Sequence, residues 1–450
     1  MYSILQSVLS DLTTFGGWCF LAGVFLMVTG DGLTTINEPI PAEAWPWLYL
    51  VPLVVSFLLM AIAGRIHPGR PARAALVSMP LAVLIAAFAL STVFSQDRTL
   101  SGFALTGVIG IAVFWWCTAH VLEDTRLADA TWTLIALAVF SLAARVITYR
   151  LVEGLDQVAF HIPWVAWLGK LQIAWVFNLC APLLLARLIG ESRRPYAIFN
   201  GIVWATVGVA NHLLLSRMGS LVFVLTTLAV CLLNVAYWRR WILVMGAAVV
   251  GGTLLVANNL RTTIQVATGF FDRAQNPGID MRLRLWEDAW RLFLTHPVAG
   301  TGIGTFDEMA YRLPDANSSS ALADPNSYYR GTGWHAHNVP LHILSETGVL
   351  GLAAWVFLWA IIIRALLRAW KTGTQRERLF GSAALISVAS FHLLSMTEVL
   401  IGARVHASLR MNLTVALLVA IGLRTSLRAP VAVDHAKDGS RSSAMLTGSA

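Results

Sequence analysis

Trp334-His335-Ala336-His337-Asn338-Val339-Pro340-Leu341, running on through Ser345-Glu346-Thr347 to Gly348-Val349-Leu350-Gly351, joins a long polar segment to an apolar run of helical length. Asn338 is a good helix N-cap, and Pro340 fits a first helical turn, where a missing N–H costs little. A helix starting there aims free backbone N–H groups and the positive end of its dipole at whatever lies beside His337, which suits a phosphate. The alternative is that Asn338 only caps a helix and the histidines only sit at a membrane surface. Spacing alone leaves both open.

A length of 450 residues would suit about three soluble domains, but 57% hydrophobic residues, 12% charged residues and a mean hydropathy of +0.68 overrule that. Repeated apolar runs of about 20 residues indicate an all-α polytopic membrane protein. About twelve transmembrane helices are expected, at roughly 12–29, 47–63, 75–95, 102–121, 131–148, 171–189, 196–215, 219–237, 241–257, 343–363, 379–397 and 408–423. The expected organisation is helices 1–9 over 1–257, an outer loop over 258–338, helices 10–12 over 339–428 and a disordered tail over 429–450. Cys19, Cys117, Cys180 and Cys231 all fall inside apolar runs and read as packing residues rather than a disulfide or zinc framework. The first run lacks a basic leader and an A-x-A-like cleavage site, so it reads as a retained anchor.

Orientation follows from the short connections. Arg65, Arg70 and Arg73, then Arg193 and Arg194, Arg239 and Arg240, and Arg364 to Arg378 all fall on one side if both termini are cytoplasmic. The opposite connections are poor in cations: 31–43 has none and 96–101 has only Arg98. The net charge of +8 is almost entirely arginine, Lys170, Lys371 and Lys437 being the only lysines. Loops on one membrane face account for most of it, so nucleic acid is not implied.

One connection is long. From about Asn258 to Trp334 the chain is expected outside the membrane on the non-cytoplasmic side, and a loop of that length should carry its own elements and function. It contains no lysine but includes Arg261, Arg273, Arg282, Arg284, Arg291, Arg312 and Arg330. Arginine is preferred where planar, bidentate contact to phosphate is wanted. Met281 to Thr295 has helical periodicity, with Arg282, Trp286, Ala289 or Trp290, and Phe293 on one face. Arg284 can pair with Asp288 and Glu287 with Arg291 on the other, so Arg282 stands apart on the aromatic face. Lipid snorkelling, or pairing with Asp280, is the competing account of Arg282. The tryptophans suit a membrane interface. His296-Pro297 stops the helix, and Gly300-Thr301-Gly302-Ile303-Gly304 reads as a flexible turn, weak as a nucleotide loop. Earlier, Ser216-Arg217-Met218-Gly219 puts an arginine in a very short connection close to the bilayer, where it either snorkels or serves a function.

Ser216-Arg217, then Arg282-Leu283-Arg284-Leu285-Trp286, then His296 to Phe306, then His337-Asn338 followed after nine residues by Gly348-Val349-Leu350-Gly351, together resemble the O-antigen ligase/polymerase family. The last pattern looks like the ligase motif, which protein O-oligosaccharyltransferases largely share. The resemblance implies a GT-C-like glycosyltransferase of the bacterial inner membrane with its site facing the periplasm. It would take a glycan linked to undecaprenyl diphosphate as donor and lipid A–core as acceptor. Arg217 and Arg282 are the candidates for the diphosphate, by match to the family pattern and by the facing of Arg282. His337 is the candidate general base, since a neutral imidazole works near pH 7. His335 and Asn338 are its neighbours and candidate substrate contacts.

No cofactor is implied. The chain has no Asp-x-Asp, and His335, His337 and His342 do not share one helical face, so no metal site is expected. A polymerase or protein O-oligosaccharyltransferase is the alternative within the class. A lipid-linked glycan transporter is the alternative outside it, but neither internal symmetry nor paired interrupted helices are visible. Asn178, Asn211, His212, Glu398, Arg404 and His406 are polar residues in apolar surroundings to which the sequence assigns no role.

Overall fold

In the computed structural model, residues 2–29, 45–66, 75–153, 170–214, 216–237, 242, 246, 277–313, 335–396 and 405–426 are described. They form helices α1 (Tyr2–Thr29), α2 (Trp45–Ile62), α3 (Ala75–Val93), α4 (Arg98–Val121), α5 (Thr125–Glu153), α6 (Lys170–Gly190), α7 (Arg194–Leu213) and α8 (Arg217–Leu233). Then come α9 (Pro277–Thr295), α10 (Phe306–Tyr311), α11 (Val339–Thr372), α12 (Gln375–Ser395) and α13 (Val405–Ser426). Six described stretches, within α1, α4, α5, α6, α11 and α12, are long and apolar enough to cross a membrane, and four shorter apolar helices accompany them. No strand occurs among the described residues. The expected ninth span at 241–257, apart from residues 242 and 246, lies outside the described residues, as do 258–276, 314–334 and the tail.

Local chemistry sets many of the helix ends. Asp97 caps α4 by accepting the Leu100 N–H at 2.9 Å, and Ser216 caps α8 by accepting that of Gly219 at 3.1 Å. A reciprocal capping box between Thr374 and Glu377 opens α12. Pro52, Pro80 and Pro182 sit inside helices, which a membrane bundle tolerates because its neighbours satisfy the freed backbone. The core is one continuous apolar cluster reaching from α1 to α13, with α6 as its most enclosed helix. Asn178 donates its amide to the Ala174 carbonyl at 2.7 Å, and Asn211 staples the α7–α8 turn by donating to that of Gly219 at 2.9 Å. Both read as structural. Glu398 and Arg404 lie outside the described residues, as does the side chain of His406.

The bundle has two chemically different ends. Arg187 ion-pairs with Asp129 of α5 at 3.6 Å and lies over Phe380 of α12, so the α6–α7 and α11–α12 turns and the start of α5 share one end. The end of α8 joins them in a common cavity with the α11–α12 turn. Arg193, Arg194, Arg368, Lys371, Arg376 and Arg378 gather here. At the other end, Gln96 of the α3–α4 turn donates its backbone N–H to Thr301 at 3.0 Å, which brings the polar insert over that turn. The basic α6–α7 and α11–α12 turns thus share the end opposite the insert, and the positive-inside rule would put that end in the cytoplasm.

A cysteine placed at Leu294, exposed on α9, and one at Arg376, exposed on α12, should therefore be labelled by an impermeant reagent from opposite sides of an intact membrane. Cys117, Cys180 and Cys231 are buried, so a Cys19→Ala background suffices. Labelling of both positions from one side would overturn this orientation.

Candidate functional site

The site is built on a break in α11. Its first nine residues, Val339–Thr347, end at Gly348, which has φ 62° and ψ −166°, before the long apolar run resumes. In an unbroken helix the carbonyls of Ser345 and Glu346 would accept from the N–H groups of Val349 and Leu350. The glycine-rich loop takes over all four groups. Thr301 N–H donates to Ser345 at 3.1 Å and Gly302 N–H to Glu346 at 2.8 Å. Val349 N–H donates to Pro297 at 2.9 Å and Leu350 N–H to Val298 at 3.4 Å. Ser91 Oγ of α3 adds a bond to the Glu346 carbonyl at 2.9 Å. Broken backbone in an apolar surround must find partners, and here the loop is the partner.

This geometry explains the glycines. Gly300, at φ 72°, lies so close that an added Cβ would come within 2.2 Å of the Glu346 carbonyl carbon. At Gly348 it would come within 2.3 Å of the Val298 carbonyl oxygen. The loop expected to be a flexible turn is instead held at each of these points, and the glycines allow two backbones to touch. Side chains complete the clasp. Ser95 Oγ meets Ser101 Oγ at 2.7 Å under Gly302, and Thr301 and Thr305 hydroxyls meet at 3.0 Å. Gln96 donates its amide to His296 Nε2 at 3.1 Å, which leaves the His296 proton on Nδ1, facing Thr295 Oγ1 at 2.9 Å.

Glu346 and His342 are the residues that the motif reading passed over. Glu346, 2% exposed, receives the Phe306 N–H on Oε1 at 2.9 Å, and the amides of Gly304 and Thr305 face the same carboxylate. Its Oε2 lies 3.4 Å from Nε2 of fully buried His342, one turn earlier, whose ring packs on Phe306. The signal was present: a histidine and a glutamate at i, i+4 inside an apolar run are costly unless given a task.

The histidine pair sits just before α11. Asn338 caps that helix by accepting the Leu341 N–H at 3.1 Å and is buried. Residues 335–338 alternate: Ala336 and Asn338 point inward, while His335 and His337 are part-exposed with ring centroids 4.2 Å apart. His337 is the one non-glycine residue with positive φ, 47°, among the described residues. Its N–H donates to His335 Nδ1 at 3.2 Å, so a neutral His335 carries its proton on Nε2. Strained backbone of this kind clusters at functional sites.

Ala336 links the pair to α9. It packs in a small separate core with Leu285, Ala289 and Leu292 of α9 and with Phe306, Met309 and Ala310 of α10. This corrects the expected facing of α9 in part: Ala289 is buried as expected, but the stripe is centred elsewhere. Its buried stripe is Leu285, Asp288, Ala289 and Leu292, whereas Trp290 is about half exposed, and Trp286 and Phe293 flank the stripe. Asp288, expected on the solvent side beside Arg284, is 1% exposed and faces inward. Glu287 does pair with Arg291 as expected. The helix also begins one turn earlier than expected, at Pro277. Arg282 is half-buried one turn before Leu285, with its Nε buried and without a hydrogen-bond partner among the described residues. Arg217 is the first residue of α8; its side chain lies outside the described residues. Among the described residues, no three His, Cys, Asp or Glu side chains are placed to hold a metal ion.

The class so defined is a polytopic helical membrane protein with a clasped, histidine-bearing insert at one end of its bundle. Residues 201–356, which hold α8, the insert and the break in α11, match a family model described as O-antigen ligase. An O-antigen ligase from Pseudomonas aeruginosa is 25% identical over 320 residues, covering 69% of this chain and 70% of that protein. Through this segment the chain is similar to the O-antigen ligase family.

Alanine at Gly300 or Gly348 should unseat the loop, since positive φ alone costs about 1–2 kcal/mol for a side chain and the backbone contacts add to it. Gly110→Ala in α4 meets nothing within 4 Å and should be neutral or stabilising by about 0.5–1 kcal/mol. Thermal unfolding in detergent compares the three, and equal midpoints for Gly300→Ala and Gly110→Ala would remove the clasp from the account.

Proposed function

We propose that this chain is an O-antigen ligase, transferring a polysaccharide from undecaprenyl diphosphate to lipid A–core at the periplasmic face of the bacterial inner membrane. The observation that carries the reading is that the segment matching the family model is the same segment that folds into the clasp, the histidine pair and α9. The polymerase and protein O-oligosaccharyltransferase readings share the donor and differ in the acceptor.

The acceptor hydroxyl attacks the anomeric carbon of the donor glycan. The new carbon–oxygen bond forms as the bond to the diphosphate oxygen breaks, and the lipid diphosphate leaves with the bonding pair. His337 takes the hydroxyl proton, a contribution of about 10²–10⁴ in rate for a positioned base. A part-exposed ring on a strained, cap-anchored turn suits that task, because its direction is fixed by backbone rather than by a flexible stem. Arg282 and Arg217 hold the diphosphate and balance the charge that grows on it. Arg282 suits this because its partly buried guanidinium binds an anion in reduced competition with water. His335 keeps the turn in place through its Nδ1 and offers its Nε2–H to the acceptor sugar. The chemistry needs no metal.

His337→Ala should abolish transfer while leaving donor affinity within about threefold, since a base acts on the acceptor. Arg282→Ala should weaken donor binding as well as turnover, and Arg282→Lys should restore it poorly because a point charge does not reproduce the fork. Arg284→Ala, on the exposed side of α9, should change either by much less. Donor affinity and single-turnover rate on folded variants decide this. Equal damage from Arg282→Ala and Arg284→Ala, or lost donor binding in His337→Ala, would overturn the assignment.

Transfer should also survive thorough chelation. Activity lost to EDTA and regained with one divalent ion would replace this mechanism with a metal-dependent one.

A further inference from the structure

A cavity of about 830 Å³ lies at the basic end of the bundle, opposite the candidate site, between the end of α8 and the α11–α12 turn. We propose that it binds the headgroup of one anionic phospholipid from the leaflet at that end.

Three features converge. Lys371 and Arg378 line the cavity, and among the described residues no carboxylate does. The nearby Glu377 carboxylate is engaged in the capping box, where it receives the Thr374 N–H. Arg378 donates its Nε–H to the Gly373 carbonyl at 2.9 Å, which fixes the guanidinium plane and leaves its terminal nitrogens for an oxyanion. Beside these cations the wall is apolar and uncovered, Leu233 being 42% and Val235 58% exposed. Trp370 and Tyr237 add aromatic rings, the type found where headgroup meets hydrocarbon. A free phosphate would satisfy the cations and leave that apolar wall bare. A phospholipid satisfies both, its phosphate on Lys371 and Arg378 and its glycerol and first acyl carbons along Leu233 and Val235. The volume falls within the range of small-ligand pockets.

Native mass spectrometry of the full-length protein in detergent, titrated with phosphatidylglycerol, should show one tightly retained lipid. Lys371→Gln and Arg378→Gln should each reduce that retention about fivefold, the order expected of one cation near an anionic surface. Arg368→Gln removes an exposed cation of the same region that does not line the cavity, and should leave retention unchanged. Phosphatidylcholine should not be retained, and millimolar inorganic phosphate should not displace phosphatidylglycerol. Equal losses from Arg368→Gln and Lys371→Gln would show general charge attraction and overturn the proposal. Displacement by inorganic phosphate would assign the cavity to a free anion instead. Lys371 makes no capping contact, so its variant tests the idea even if Arg378→Gln proves unstable.

Discussion

The structure depends on an exchange of backbone hydrogen bonds at one glycine. A helix broken inside an apolar bundle leaves two carbonyls and two N–H groups without their i, i+4 partners, and each orphan is expensive away from water. Here Ser345, Glu346, Val349 and Leu350 find all four partners in 297–302. The exchange is reciprocal: the loop gives two N–H groups and two carbonyls and receives the same in return. Neither half is stable alone in this form, so the break in α11 and the fold of the loop specify each other.

That constraint positions the rest of the insert. With 297–302 fixed, α9 leads into it and α10 leads out of it, and the two helices close a small core over Ala336. The histidines on either side of Ala336 are thereby carried on a turn anchored from below by α9 and α10 and from behind by the Asn338 cap. Glu346 adds a polar rivet, its backbone carbonyl held by Ser91 and Gly302 and its carboxylate by the start of α10. A site built this way keeps its side chains aimed by main-chain bonds rather than by flexible stems.

What was legible in the sequence was local. The Asn338 cap, the stop at His296-Pro297, the Glu287–Arg291 pair and the separation of basic from polar ends all follow from residues within one turn of each other, or from loop composition. What was hidden was non-local. Nothing within 297–302 indicates that its carbonyls will serve N–H groups about fifty positions later, so a clasp reads as a flexible glycine turn. The facing of α9 was only partly legible, for a different reason. The expected face of Arg282, Trp286, Ala289 or Trp290, and Phe293 overlaps at Ala289 with a stripe of Leu285, Ala289 and Leu292, and period arithmetic allows both. The partner surface chose the second, because Ala336 and the short α10 leave room for small and aliphatic side chains close to the helix axis.

Burial separates the two arginines of the Arg282-Leu283-Arg284 run, Arg282 being half-buried and Arg284 exposed. Arg284 is exposed, where an ion contact is screened by water and salt. Arg282 has its Nε out of water, where an oxyanion interacts more strongly than at the exposed position. Of the two, the half-buried arginine, on a helix anchored to the histidine turn, is the one whose electrostatics are least screened by water.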